Sequence, residues 1–132
     1  MAEPAPLGSE APAAEAAGDF LDTAITRPRP GAAVLGVQGE VDTLTATLFA
    51  DAVAELVDGP EPTLVVDLTG VTFLASSGLA VLIQGAHRAE KRNARLRLVV
   101  TTRAVRRPLE ITGTDQLFDM HSDVHDAIGG DD

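Results

Sequence analysis

The stretch VVDLTGVTFLASSGLAVLI, residues 65–83, decides the fold expected for this chain. An apolar run, Leu64–Leu68, predicts a buried strand that ends at Thr69-Gly70, and a second run, Val71–Ala75, leads to two serines and a glycine. A helical pattern follows at once, with the i, i+3, i+4, i+7 spacing of a buried face: Leu79, Leu82, Ile83 and Ala86. Ser76 is therefore expected between a strand and a helix of about residues 77–91.

A serine at this position can have two roles. As the residue before the helix, Ser76 can accept a hydrogen bond from a free backbone N–H of the first turn. The positive end of the helix dipole also stabilises negative charge, so a phosphoryl group on the same hydroxyl would be tolerated. The local pattern allows both the cap and the phosphorylation site.

The rest of the chain alternates strands and helices. Residues 20–26 predict an edge strand, and a turn at residues 27–31 leads to a central antiparallel strand at 32–39. A first helix, capped by Thr43 or Thr45, is expected to run to Val57 with Leu48 on its apolar face. Further elements are a strand at 95–100, a helix at 103–112, a short strand at 117–118 and a last helix at 122–128. The prediction is an α/β fold: a mixed, mostly parallel sheet of four to five strands that begins with an antiparallel hairpin, with about four helices.

The length of 132 residues is enough for one domain. Residues 1–18 are rich in Ala, Pro and Glu and have little apolar surface to bury, which predicts a disordered tail before a domain at 19–130. The N-terminus lacks the features of a secretory signal, and no apolar run is long enough for a membrane helix. A cytoplasmic location is the default expectation.

The net charge of −10 is unevenly distributed. Residues 31–87 contain seven acidic side chains and no Lys or Arg, whereas residues 88–107 contain eight basic side chains and one acid, Glu90. Solvation and helix-dipole complementarity are one explanation, and a bipolar surface that orients a charged protein partner is the other. Nucleic-acid binding is disfavoured because the four aromatic residues, all Phe, provide few stacking platforms.

No catalytic or metal-binding pattern is convincing. Ser76 lacks the Gly-x-Ser-x-Gly context of a hydrolase nucleophile, and His87 lies about three helical turns away. His121 and His125 would share a face of the last helix near three aspartates, but that segment has the composition of a solvated chain end. Without cysteine or a phosphate-cradling glycine motif, the chain is expected to be no enzyme and to bind neither metal nor cofactor.

Two motifs together resemble one known family. Asp67–Phe73 followed by Ser76-Ser77-Gly78-Leu79 resembles the signature of STAS domains, the bacterial anti-sigma factor antagonists, and Gly39–Asp42 resembles that family's second feature. The similarity spans about Phe20–Ile128. Because parallel strands end at one edge of a sheet, Asp42 and Ser76 are expected there together.

The resemblance implies a function. Such a protein binds an anti-sigma factor of the histidine-kinase-like ATPase fold and thereby releases a sigma factor. The partner phosphorylates Ser76, with Ser77 the less favoured position, and a serine phosphatase reverses the reaction. The implied partner-binding residues are Asp42, Thr43, Ala75, Ser76, Ser77, Gly78 and Leu79. No nucleic acid or membrane is implied, and the protein is expected to be a monomer or weak dimer.

Ala75 departs from the family pattern, which usually has an aspartate before the phosphorylated serine. If that aspartate orients the serine or contacts the kinase, its absence favours a second hypothesis. The chain would then be a STAS interaction module of a signalling assembly that is not phosphorylated.

Overall fold

The computed structural model describes residues 21–129. The strands are β1 (Leu21–Arg29), β2 (Ala32–Val41), β3 (Thr63–Leu74), β4 (Leu96–Val99) and β5 (Asp119–His121). The helices are α1 (Ala46–Val57), α2 (Ser76–Glu90), α3 (Arg103–Ile111) and α4 (Val124–Ala127), with a 3-10 turn at Thr114–Leu117. The sheet has the order β1-β2-β3-β4-β5; the first pair is antiparallel and the other three are parallel. The predicted fold class is confirmed. The expected tail at 1–18 lies outside the described residues.

The two faces of the sheet are covered unequally. The main core lies between the sheet and α1, α2 and α3, as right-handed crossovers between successive parallel strands require. A smaller cluster on the other face packs α4 against one valine from each of three strands: Val34, Val65 and Val99, with Ala127. Among residues 21–129, no helix is long and apolar enough to cross a bilayer.

The strand in the deciding stretch is longer than predicted. Thr69-Gly70 does not end it, because β3 continues unbroken to Leu74. The pairing with β2 slips twice: Gly36 and Gln38 lie opposite Asp67 and Gly70, and Gly39 and Glu40 lie opposite Val71 and Phe73. Each slip places one extra residue on β3, as in a β-bulge.

The two slips set which side chains face the helices. Strict alternation holds for Leu64, Val66 and Leu68, and each bulge then advances the pattern by one residue, so that Val71 and Leu74 also enter the main core. At the first slip, Thr69 N–H donates to Asp67 Oδ1 at 3.0 Å. A Cβ on Gly70 would lie 2.7 Å from Gln38 Cγ and 3.1 Å from Val37 O, so glycine permits the close approach.

Other predicted boundaries also shift. β1 continues through Pro28 to Arg29, since an edge strand tolerates a residue that lacks an N–H. The segment 117–118 ends a 3-10 turn, and the short strand follows at 119–121. The last helix begins only at Val124, so His121 lies on β5 and does not share a helical face with His125. His121 Nδ1 instead lies 2.7 Å from Asp126 Oδ2, and within 21–129 no three His, Asp or Glu residues could hold a metal ion.

The buried helix faces differ in detail from those predicted. Leu48 is half exposed, because Phe49, Ala52, Val53, Leu56 and Val57 turn to the core at helical spacing. On α2 the buried face contains Gly78, Leu82 and Gly85, whereas Leu79 and Ile83 are only half buried. Glycine is needed on that face because α2 packs closely: a Cβ on Gly85 would lie 2.7 Å from Val53 Cγ1.

Most of the basic cluster at 88–107 serves the fold. Arg88 forms a two-point ion pair with Asp58, with both distances 2.7 Å. Four further arginines donate to backbone carbonyls of other segments: Arg92 to Glu61, Arg95 to Gln116 and Phe118, Arg97 to Ala127, and Arg106 to Val100. Arg103 and Arg107 have no such partner within the described chain.

Replacing Gly78 by alanine should lower the free energy of unfolding. The new Cβ would lie 2.5 Å from Val41 Cγ1 and 2.6 Å from Leu74 Cδ1, both on buried side chains. Overpacking of this kind costs about 1–3 kcal/mol, more than the roughly 1 kcal/mol that alanine gains over glycine inside a helix. Gly36→Ala is the matched control, because its Cβ would meet only Ala24 O at 3.8 Å. Urea unfolding of the two variants checks the prediction, and equal stability would contradict the packing described.

Glu61 should make the stability of the fold depend on pH. Its side chain is 11% exposed and accepts a hydrogen bond from Arg27 Nε at 2.7 Å, which, with a smaller contribution from Arg92, lowers the pKa of the carboxyl. A depressed folded-state pKa stabilises the fold above the ordinary pKa of glutamate, and this contribution is lost as the pH falls through the folded value. Glu61→Gln should therefore flatten the decrease in stability on acidification. Asp58→Asn, in a pair whose side chains are 53% exposed, is the control and should have the smaller effect. A Glu61→Gln acid profile identical to wild type would rule out this role.

Candidate functional site

The ends of β2 and β3 carry the residues singled out by the sequence. Val41 pairs with Leu74, the last residue of β3, and Ala75 N–H donates to Val41 O at 2.8 Å. Asp42 follows Val41 directly, so the structure brings Asp42 and Ala75-Ser76 to one edge of the sheet, as expected from the topology. β4 pairs only with residues 64–67 of β3, so the last part of β3 extends beyond β4 beside β2.

Asp42 organises the loop before α1. Its Oδ1 accepts hydrogen bonds from the N–H groups of Leu44 at 3.0 Å and Thr45 at 3.1 Å. Thr45 Oγ1 donates to Glu40 O at 2.8 Å and accepts from Asp42 N–H at 3.0 Å. The threonine expected as a side-chain cap instead ties the loop back to β2, and the carboxylate satisfies the free amides. Thr43 is exposed at the tip of this loop.

The two serines at the start of α2 differ in their surroundings. Ala75 is the N-cap residue, with extended backbone, and Ser76 is the first helical residue, so the expectation that Ser76 caps the helix is wrong. Ser76 is exposed, whereas Ser77 Oγ is buried without a hydrogen-bond partner in the described part of the chain. Because alanine has no acceptor, the first-turn amides of α2 receive no side-chain cap. Ser76 therefore lies on the surface, whereas the hydroxyl of Ser77 does not.

Gly78 and Leu79 hold the helix in place. Gly78 is buried against Val41 and Leu74, and Leu79 packs at the margin of the main core. Both residues therefore support the edge through packing. Of the predicted partner-binding residues, Thr43 and Ser76 are exposed, and Asp42 and Ala75 are partly exposed.

The sequence analysis missed an apolar surface at this edge. Leu44 is 73% exposed, Phe73 50% and Leu48 48%; they are three of the five large apolar side chains exposed in residues 21–129. Leu44 and Leu48 flank the start of α1, and Phe73 points to the sheet face opposite the helices, since its neighbour Leu74 faces the main core. The sequence signal for an exposed apolar residue was the adjacent pair Leu48-Phe49, since only one of the two side chains can face the core. These exposed apolar side chains, at the end of the domain that carries Ser76, are available for contact with another protein.

Comparison with known proteins supports the same family as the motifs. Residues 23–127 match the model of the STAS domain. The anti-sigma-F factor antagonist RsfB of Mycobacterium tuberculosis is 38% identical over 102 residues, which cover 76% of this chain and 81% of RsfB. RsfA of the same organism, also an anti-sigma-F factor antagonist, is 32% identical over 100 residues, covering 74% of this chain and 77% of RsfA.

A solved structure agrees in both fold and sequence. The crystal structure of an anti-sigma factor antagonist from Mycobacterium paratuberculosis superposes with a TM-score of 0.78 at 33% identity, covering 85% of this chain and 94% of that one. One assignment accounts for the antiparallel hairpin, the parallel strands that follow it, the serine at the start of α2 and the extent of these matches. The chain belongs to the STAS domain family.

Proposed function

We propose that this protein is an anti-sigma factor antagonist: it binds an anti-sigma factor through the edge formed by the ends of β2 and β3 and so releases a sigma factor. The relatives named as anti-sigma factor antagonists support this assignment. The observation that carries it is the joint exposure, at one edge, of the Ser76 hydroxyl and the apolar side chains Leu44, Leu48 and Phe73.

The proposed partner is an anti-sigma factor with a histidine-kinase-like ATPase fold, which also phosphorylates the antagonist. The γ-phosphoryl group of ATP passes to Ser76 Oγ, the bond from the γ-phosphorus to the bridging oxygen breaks, and ADP leaves. A base on the kinase takes the hydroxyl proton. A serine phosphatase would restore the hydroxyl by hydrolysis, and the antagonist itself would act only as the substrate, as expected for a cytoplasmic signalling protein.

Charge and packing explain how phosphorylation would weaken the complex. A phosphoserine adds about −1.5 to −2 charges at neutral pH. At Ser76 this charge would stand at the edge that also carries the Asp42 loop, where a bound partner must remove water from it. The first turn of α2 faces the phosphate with free amides and the positive end of its dipole. The fold should therefore tolerate the modification that the interface does not.

Ala75 leaves an alternative: an interaction module that binds its partner without being phosphorylated. The N-cap position has no carboxylate to hold the first-turn amides or to contact a kinase. Both functions use the same edge and differ only in the phosphoryl transfer.

Phosphorylation should occur on Ser76. Incubating the protein with its purified anti-sigma factor and ATP should add the mass of one phosphoryl group, and peptide mapping should locate it. Ser76→Ala should abolish the addition. Ser77→Ala is the matched control and should be phosphorylated as wild type, since it removes a buried hydroxyl without a partner. A phosphate mapped to Ser77 or Ser9 would overturn the assignment, and an unmodified wild type that still binds would favour the alternative.

Ser76→Asp and Ser76→Glu should weaken binding to the anti-sigma factor, and Ser76→Ala should preserve it. The acidic side chains imitate part of the phosphate charge at the exposed position, whereas alanine keeps the surface neutral, and Ser76 makes no capping bond that alanine would remove. Isothermal titration calorimetry gives the dissociation constants, and Thr43→Asp tests whether a charge elsewhere on the edge has the same effect. Equal affinity of all Ser76 variants would show that this residue does not control the contact.

A further inference from the structure

The outer face of α3 is the second unusual surface of the protein. Arg103 and Arg107 lie one turn apart, followed after another turn by Ile111, which is 68% exposed. With Ala104 and Pro108 they line a shallow depression of about 430 Å³. Val105 and Leu109, on the opposite face of the helix, are buried and hold α3 on the sheet.

No ion pair or hydrogen bond within residues 21–129 indicates that Arg103 and Arg107 stabilise the fold. The other arginines of the basic cluster at 88–107 donate to other segments, but Arg103 and Arg107 form no ion pair in residues 21–129, not even with Glu110 on the same helix. Arg103 is also the first residue of α3, at the positive end of the helix dipole, where a cation is unfavourable. Two free guanidinium groups beside an exposed isoleucine fit an acidic segment that carries an aliphatic side chain.

We propose that the acidic N-terminal segment of this chain, residues 1–20, docks on the outer face of α3. The segment contains Glu3, Glu10, Glu15 and Asp19, no Lys or Arg, and the aliphatic Leu7. Its charge complements Arg103 and Arg107, and Leu7 can cover Ile111. A separate acidic protein would be opposed by the net charge of −10, whereas a tethered segment is held at a high effective concentration.

The topology puts the segment within reach. Leu21 pairs with Gly39, so the chain enters β1 at the edge where β2 and β3 end, and α3 starts at that edge just after β4. From β1 to β4 is three strand spacings, roughly 14 Å. An extended residue covers about 3.3 Å, so about five residues span the distance to β4, and the other residues of the segment are enough to reach the outer face of α3.

The docking itself rests only on the α3 face and the tail, and it can be tested without any partner.

The chain has no cysteine, so Ser9→Cys provides a single attachment site for a nitroxide spin label. In the ¹⁵N-labelled full chain, the label should weaken the amide signals of residues 103–111 more than those elsewhere in the domain. Arg107→Glu should restore most of that intensity, as should added salt, because the contact is between exposed charges. Lys91→Glu is the matched control, with the same change of charge at another exposed site, and should leave the broadening unchanged.

Three outcomes would overturn the proposal. One is broadening spread evenly over the domain or centred on the surface of Leu44, Leu48 and Phe73. The second is an Arg107→Glu variant that behaves as wild type while its spectrum shows an intact fold. In the third, mixing spin-labelled unenriched protein with unlabelled ¹⁵N protein reproduces the broadening, which would mean that the segment docks on a second copy.

Discussion

The contact between Gly78 and the ends of β2 and β3 supports every other feature of the site. With hydrogen as its side chain, Gly78 lets the first turn of α2 lie directly on Val41 and Leu74. This close approach sets the rotation of the helix, so that Ser77 Oγ turns inward and Ser76 turns to solvent. A side chain at Gly78 would move or rotate the helix start, and the hydroxyl exposed to a partner would change with it. The glycine of the Ser-Ser-Gly motif thus has a packing role that the serines depend on.

The two bulges of β3 place Leu74 beside Val41, since without the two extra residues Val41 would lie opposite Thr72. With strict alternation from Leu64, residue 74 would face the helices but Val71 would not, and the strand would carry Gly70 towards the core in its place. The extra residues keep both Val71 and Leu74 in the core and lengthen β3 relative to β2. Phe73, next to Leu74, is exposed on the other face of the sheet. The irregular strand therefore sets the register with β2 on which the anchoring of α2 depends.

The arginines separate into two groups once their partners are known. Five arginines connect different segments of the fold through ion pairs or hydrogen bonds: Arg88, Arg92, Arg95, Arg97 and Arg106. Arg103 and Arg107 remain as free charges on α3. The uneven charge seen in the sequence thus combines a structural component, which neither of the two explanations offered for it included, and a surface component formed by Arg103 and Arg107.

The sequence by itself determined the fold class, the antiparallel hairpin and the meeting of Asp42 with Ser76 at one edge, because hydrophobic periodicity and the direction of parallel strands are local or topological properties. It also indicated Ser76 through the motif. Only the tertiary structure decided that Thr69-Gly70 continues a strand, because the bulge depends on the partner strand. It also decided that the helix begins at Ser76 and that Ala75 precedes it. The sequence also did not predict that Leu44, Leu48 and Phe73 are exposed, or which partners the arginines contact. Burial and ion pairing depend on which distant residues come into contact, and a one-dimensional pattern does not contain that information.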